Sequence, residues 1–135
     1  LHSNGTGRMH RSVTIFTLLF LLGGHSSAHQ FTPTYPELKP AYIKGVDVVE
    51  MSIFNSREEI SWYSINVFDE DWNTLPFAST DKLINLPYLD RKLIEVYTKR
   101  SDRSKVLYVC SKSKTLKSLK NPYIITSRIC SKIKK

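Results

Sequence analysis

Apolar and polar residues alternate with a period of two through most of this chain. VDVVEMSIF (residues 46–54) sets Val49, Met51 and Ile53 on one face, and ISWYSINVF (60–68) is dense in aromatic and β-branched residues. KLIEVYTK (92–99) offers Ile94 and Val96, flanked by Lys92 and Thr98, and KVLYVCS (105–111) offers Leu107 and Val109. YIITSRICSKI (123–133) offers Tyr123, Ile125, Ile129 and Ile133. Side chains of a strand alternate between its two faces, so each run reads as a half-buried strand. No run keeps an apolar stripe at helical spacing. Between them lie turn-like stretches: NSREE (55–59), DEDWN (69–73), LPYLD (86–90) and KRSDRS (99–104). Pro33, Pro36 and Pro40 confine the first segment to a sheet edge or a broken strand, because proline donates no ladder hydrogen bond. The expectation is an all-β, immunoglobulin-like sandwich of about seven strands in a single domain.

The front of the chain reads differently. Residues 1–8 lie upstream of Met9. His10 and Arg11 then precede the apolar run VTIFTLLFLL and the small residues GGHSSA. This is the layout of a signal peptide over residues 9–28, with cleavage expected before His29. The apolar run is shorter than the roughly 20 residues that span a bilayer. The domain is then residues 29–135, exported to a periplasmic or extracellular space, with no membrane-spanning segment left after cleavage.

Charge divides that domain in two. Residues 29–90 carry ten acidic and four basic side chains, while residues 91–135 carry two acidic and fourteen basic. A basic stretch, SKSKTLKSLKN (111–121), is expected to be a loop between the last two strands. Lys112, Lys114, Lys117 and Lys120, joined by Arg128 and Lys132, make a candidate patch for an anionic partner.

Catalytic chemistry finds little support. His29 is the only histidine of residues 29–135 and Gly45 the only glycine, which removes Ser–His and Cys–His catalysis, most zinc sites and glycine-rich phosphate loops from consideration. Asp69, Asp71 and Asn73 open like a calcium loop, but Thr74 and Thr80 stand where glycine and glutamate are needed. No cofactor or metal site is expected, and the chain is read as a non-enzymatic protein.

Two cysteines, Cys110 and Cys130, fall in the last two strands. An even count in an exported chain reads as one disulfide. Leu107 and Val109 claim one face of their strand, so Cys110 lies on the other. Ile129 and Ile133 do the same for Cys130. Adjacent antiparallel strands would bring the two side by side on the outward face, pinning the register of that pair.

In order and spacing, the pieces FTPTYPEL, VDVVEMSIFNSREEISWYSINVFDED, LPFAST, INLPYLDRKLIEVYT, KVLYVCSKS and SRICSKIK resemble the N-terminal immunoglobulin-like domain of periplasmic pilus-assembly chaperones. That domain belongs to the wider group of major sperm protein-like sandwiches. The likeness runs from about Phe31 to Lys134. It implies that the last strand is an exposed edge offered to a pilin-like or virion subunit by strand addition. Tyr123, Ile125 and Ile129 would be its donor residues, and Lys134 would match the lysine that holds the subunit's terminal carboxylate. The family's first-strand arginine corresponds to Tyr35 or a near neighbour here, with no arginine nearby.

Two functional readings follow. The first is an exported protein-interaction module that binds by a sheet edge, as part of a surface appendage or phage-like particle. The alternative is a module that binds a polyanion or a membrane surface through its basic C-terminal half. Nucleic acid is the less fitting polyanion for an exported chain.

Overall fold

The computed structural model of the protein describes residues 28–115 and 126–135. The expected leader other than Ala28, together with Lys117, Lys120, Tyr123 and Ile125, lies outside the described residues.

The long alternating runs become the four long strands. β1 is Gln30–Thr32, β2 Lys39–Pro40, β3 Val46–Phe54, β4 Trp62–Phe68, β5 Thr74–Leu75, β6 Ala78–Ser79, β7 Leu83–Asn85, β8 Arg91–Lys99, β9 Tyr108–Lys114 and β10 Arg128–Lys132. They form two antiparallel five-stranded sheets. The first runs β1–β3–β8–β6, with β2 also on β3. The second runs β10–β9–β4–β5, with β7 also on β4. This is the sandwich expected from the sequence. Ten segments stand in place of about seven because the edges are broken. The proline-rich first strand splits into β1 and β2, with a cis Thr32–Pro33 peptide between them. The stretch 74–85 crosses from β4's sheet to β8's and back again.

The alternation sets the core. Val49, Met51 and Ile53 of β3, Tyr63, Ile65 and Val67 of β4, and Ile94 and Val96 of β8 all point inward, joined by Phe31, Ile84, Val109 and Ile133. Each such side chain removed from water contributes roughly 1.5–3 kcal/mol. β3 and β8 pair along their whole length, from Val46↔Lys99 to Phe54↔Arg91, and form the spine of their sheet.

β9 departs from the sequence reading. Lys105–Leu107 is not strand, and the strand runs on through Ser111–Lys114, so the first part of the expected basic loop is sheet. The reason lies inside the sandwich. Ser111 and Ser113 face inward and are fully buried, and both find hydrogen-bond partners there. Hydroxyls with partners can occupy inward strand positions that an apolar count scores as loop.

Candidate binding edge

The last strand is placed by two hydrogen bonds. Ser113 N–H donates to Ser127 C=O at 2.9 Å, and Ile133 N–H donates to Leu107 C=O at 2.8 Å. They fix which main-chain groups of β10 face β9. The odd-numbered residues do, and the even-numbered ones face away. Cys130 therefore sits opposite Cys110 in a non-hydrogen-bonded pair, with Cα atoms 4.1 Å apart and a disulfide between them. That pairing brings side chains closest across an antiparallel ladder. The disulfide expected from the cysteine count is present, and it staples β9 to β10.

Part of the outward side of β10 is covered. Lys132 N–H donates to Thr34 C=O at 3.0 Å, and Lys134 N–H donates to Pro36 C=O at 2.8 Å. The chain after Pro33 thus leaves β3 and lies along the end of β10. Among the described residues, the outward main-chain groups of Arg128 and Cys130 have no hydrogen-bond partner. The edge is open for one repeat and closed beyond it.

Around that opening, Ile129 is half-buried and packs against the core, while Arg128 is exposed. Lys134 is exposed and lies 3.9 Å from Glu37. It shares a cleft of about 420 Å³ with Tyr35, Glu37 and Lys39. Tyr35 and Lys134, nearly a hundred residues apart in the chain, thus line one cleft. Lys39 supplies a second cation there that the sequence reading passed over.

Of the candidate basic patch, Lys112, Lys114, Arg128 and Lys132 lie on β9 and β10 of the same sheet. Lys112 lies opposite Arg128, Tyr108 opposite Lys132, and Trp62 opposite Lys114. The Arg128 guanidinium stands 5.4 Å over the Phe68 ring. To reach it, the side chain must cross the row that holds Cys110, which is 2 % exposed although it faces outward. Trp72, at a backbone φ of 63°, stacks on Tyr108 with ring centroids 4.2 Å apart. Aromatic and basic side chains interleave here more than the sequence indicated, because Trp62, Phe68 and Trp72 are remote in the chain and reach this face only through strand pairing and the β4–β5 turn.

Inside the sandwich, His29 Nε2 lies 2.7 Å from Ser111 Oγ and Nδ1 lies 3.1 Å from Ser127 Oγ. The ring tilts against Tyr63 at 4.7 Å. A lone histidine thus does meet serines, a contact that no local spacing in the sequence marks. The pair does not resemble a catalytic one. His29 and Ser111 are both buried, and no carboxylate orients the ring. Burial lowers the imidazole pKa to about 4, and the nearby Arg57 charge acts in the same direction, against a hydrogen bond to the Ser111 main chain that raises it. A ring so reluctant to take a proton is a poor general base. Among the described residues no cluster of His, Cys, Asp and Glu could hold a metal ion, and no helix is long and apolar enough to cross a membrane.

No family model matches the chain, and no curated protein does. Solved structures do match. One is the crystal structure of the E. coli chaperone DraB, with a TM-score of 0.57 at 15% identity, covering 78% of this chain and 53% of that one. The chain thus spans about half the length of that chaperone, and what the two share is a β-sandwich fold.

Proposed function

We propose that this chain is an exported protein-binding module that accepts a partner's strand along the β10 edge at Arg128–Cys130. The observation that carries the reading is the partial opening of that edge. The N–H groups of Lys132 and Lys134 already donate to Thr34 and Pro36, whereas the outward main-chain groups of Arg128 and Cys130 have no partner among the described residues. An incoming strand gains main-chain hydrogen bonds at such an edge, and alternate side chains read its identity. The disulfide keeps β10 from fraying while it waits. The chaperone fold and the sequence resemblance to pilus-assembly chaperones both support a protein partner, with a pilin-like or virion subunit that lacks its own closing strand as the first candidate. Tyr123, Ile125 and Ile129 would contribute the apolar side chains of the interface. Lys134 and Lys39 would hold a terminal carboxylate in their shared cleft, where Glu37 is the group to be displaced.

The test is a binding titration against subunits from which the closing strand has been deleted. Arg128→Pro, which removes an outward N–H, and Ile129→Asp are each expected to weaken binding at least tenfold. Added salt is expected to change it little. A binding constant that falls steeply with salt and ignores both substitutions would reject the strand-edge reading in favour of a polyanion on the outer basic face.

A further inference from the structure

We propose that the tip of the β2–β3 hairpin is a docking point for the headgroup layer of an anionic lipid bilayer, independent of the β10 edge. Tyr42 is 109% and Ile43 65% exposed, so neither side chain has found cover in the fold. Single exposed apolar residues are ordinary on a protein surface. Here two stand side by side at a fixed turn. Ala41 N–H donates to Val46 C=O at 2.9 Å and Val46 N–H to Ile43 C=O at 3.2 Å. Gly45, at a φ of 78°, supplies the left-handed step that lets the turn close.

Cations surround the tip. Lys44 follows Ile43 directly, Lys39 pairs with Val48 and Lys99 with Val46. Arg100 N–H donates to Gly45 C=O at 2.9 Å, which brings the Arg100–Asp102 turn against the hairpin. Arg100 and Arg103 are both held by the buried Asp47 carboxylate, at 3.1 and 3.0 Å, and each remains roughly half exposed. Lys39 also shares a cleft with Glu37 and Glu50, but Lys44, Lys99, Arg100 and Arg103 face only the buried Asp47 and the half-buried Asp102, which leaves this corner positive.

Three of the other exposed apolar residues have acidic neighbours. Trp72 follows Asp69, Glu70 and Asp71, Leu89 precedes Asp90, and Leu93 shares a cavity with Glu50 and Glu95. Those surfaces repel an anionic bilayer where the hairpin corner attracts it. An aromatic ring with a polar hydroxyl suits the boundary between headgroups and acyl chains, and lysines and arginines beside it are drawn to anionic lipid. The acidic Asp69–Asp71 turn follows β4, at the same end of the sandwich but on the other sheet. The domain would therefore meet the bilayer tilted, with the β2–β3 corner lowered. A single such tip gives reversible attachment, not permanent insertion.

The test is co-sedimentation of the purified protein with vesicles of phosphatidylcholine alone and of phosphatidylcholine mixed with phosphatidylglycerol. Binding is expected only to the mixed vesicles and is expected to weaken as salt is raised. The double variant Tyr42→Ser/Ile43→Ser, whose changes are fully on the surface, is expected to lose about tenfold or more in partition coefficient. Tyr42→Trp is expected to add a component to the emission that shifts to the blue on vesicles. Equal binding to both vesicle types would overturn the proposal, as would no binding to either. Undiminished binding by the double variant would overturn it too, because adsorption would then rest on charge alone.

Discussion

At the scale of single residues, the polar groups inside the core govern how the protein answers to pH and charge removal. His29 is buried with both ring nitrogens near serine hydroxyls, and its pKa stands at about 4 against 6.5 in water. Between those values the unfolded chain binds a proton that the folded one refuses. Stability therefore falls as pH is lowered from 6.5 through 4, by up to roughly 3 kcal/mol, and is insensitive to this group above that window. Urea unfolding at pH 7 and near pH 4.5 should show the loss, and His29→Gln should flatten it. Asp47 gives a second contrast. It is fully buried, while Arg100 and Arg103 are exposed along much of their length. Replacing both arginines by Met strands a buried charge and is expected to cost about 3–5 kcal/mol. Asp47→Asn lets the arginines turn to solvent and should cost less than half of that in the same unfolding experiment.

At the scale of elements, β9 and β10 act as one stapled hairpin. The disulfide closes a separation of 20 residues. The chain-entropy model gives it about 3 kcal/mol, so Cys110→Ser/Cys130→Ser should lower the melting temperature by on the order of 15 °C in calorimetry. The strand order is expected to survive, since Val109, Ile129 and Ile133 still pack on the core. Charged side chains alternate along this edge at Arg128, Lys132 and Lys134, which discourages two copies from pairing edge to edge. An edge can then stay open without the protein aggregating. The pairing of β9 with β10 was legible from the cysteines together with the alternation around them, which sets Cys110 and Cys130 on the outward face of two consecutive strands. The covering of Lys132 and Lys134 was not legible, since it depends on where the chain goes after Pro33, a hundred residues earlier.

At the scale of the molecule, the charge asymmetry read from the sequence is redistributed by the fold. β8, from the basic half, lies between β3 and β6 of the acidic half. The surplus of positive charge therefore appears in two places, on the outer face of β9 and β10 and at the β2–β3 corner. The two should behave independently. Lys112→Glu/Lys114→Glu is expected to slow association with an acidic protein partner several-fold at low salt while leaving dissociation nearly unchanged. Stopped-flow measurements across ionic strength would check this.

The period of two, the prolines and the cysteine pair determined on their own that this is a two-sheet β protein with a stapled closing strand. They could do so because strand faces and cross-strand neighbours follow from local spacing. The sequence alone also marked Lys112, Lys114, Arg128 and Lys132 as a patch, since charge needs no geometry to be counted. Only the tertiary structure decided that Ser111 and Ser113 belong inside a strand, that Tyr35, Lys39 and Lys134 share a cleft, and that Trp72 lies over Tyr108. It alone decided that, among the described residues, the β10 edge is unpaired at Arg128 and Cys130 but bonded at Lys132. Each of these turns on groups far apart in the chain satisfying one another's hydrogen bonds or sharing buried surface, and no pattern along a single segment records such partners.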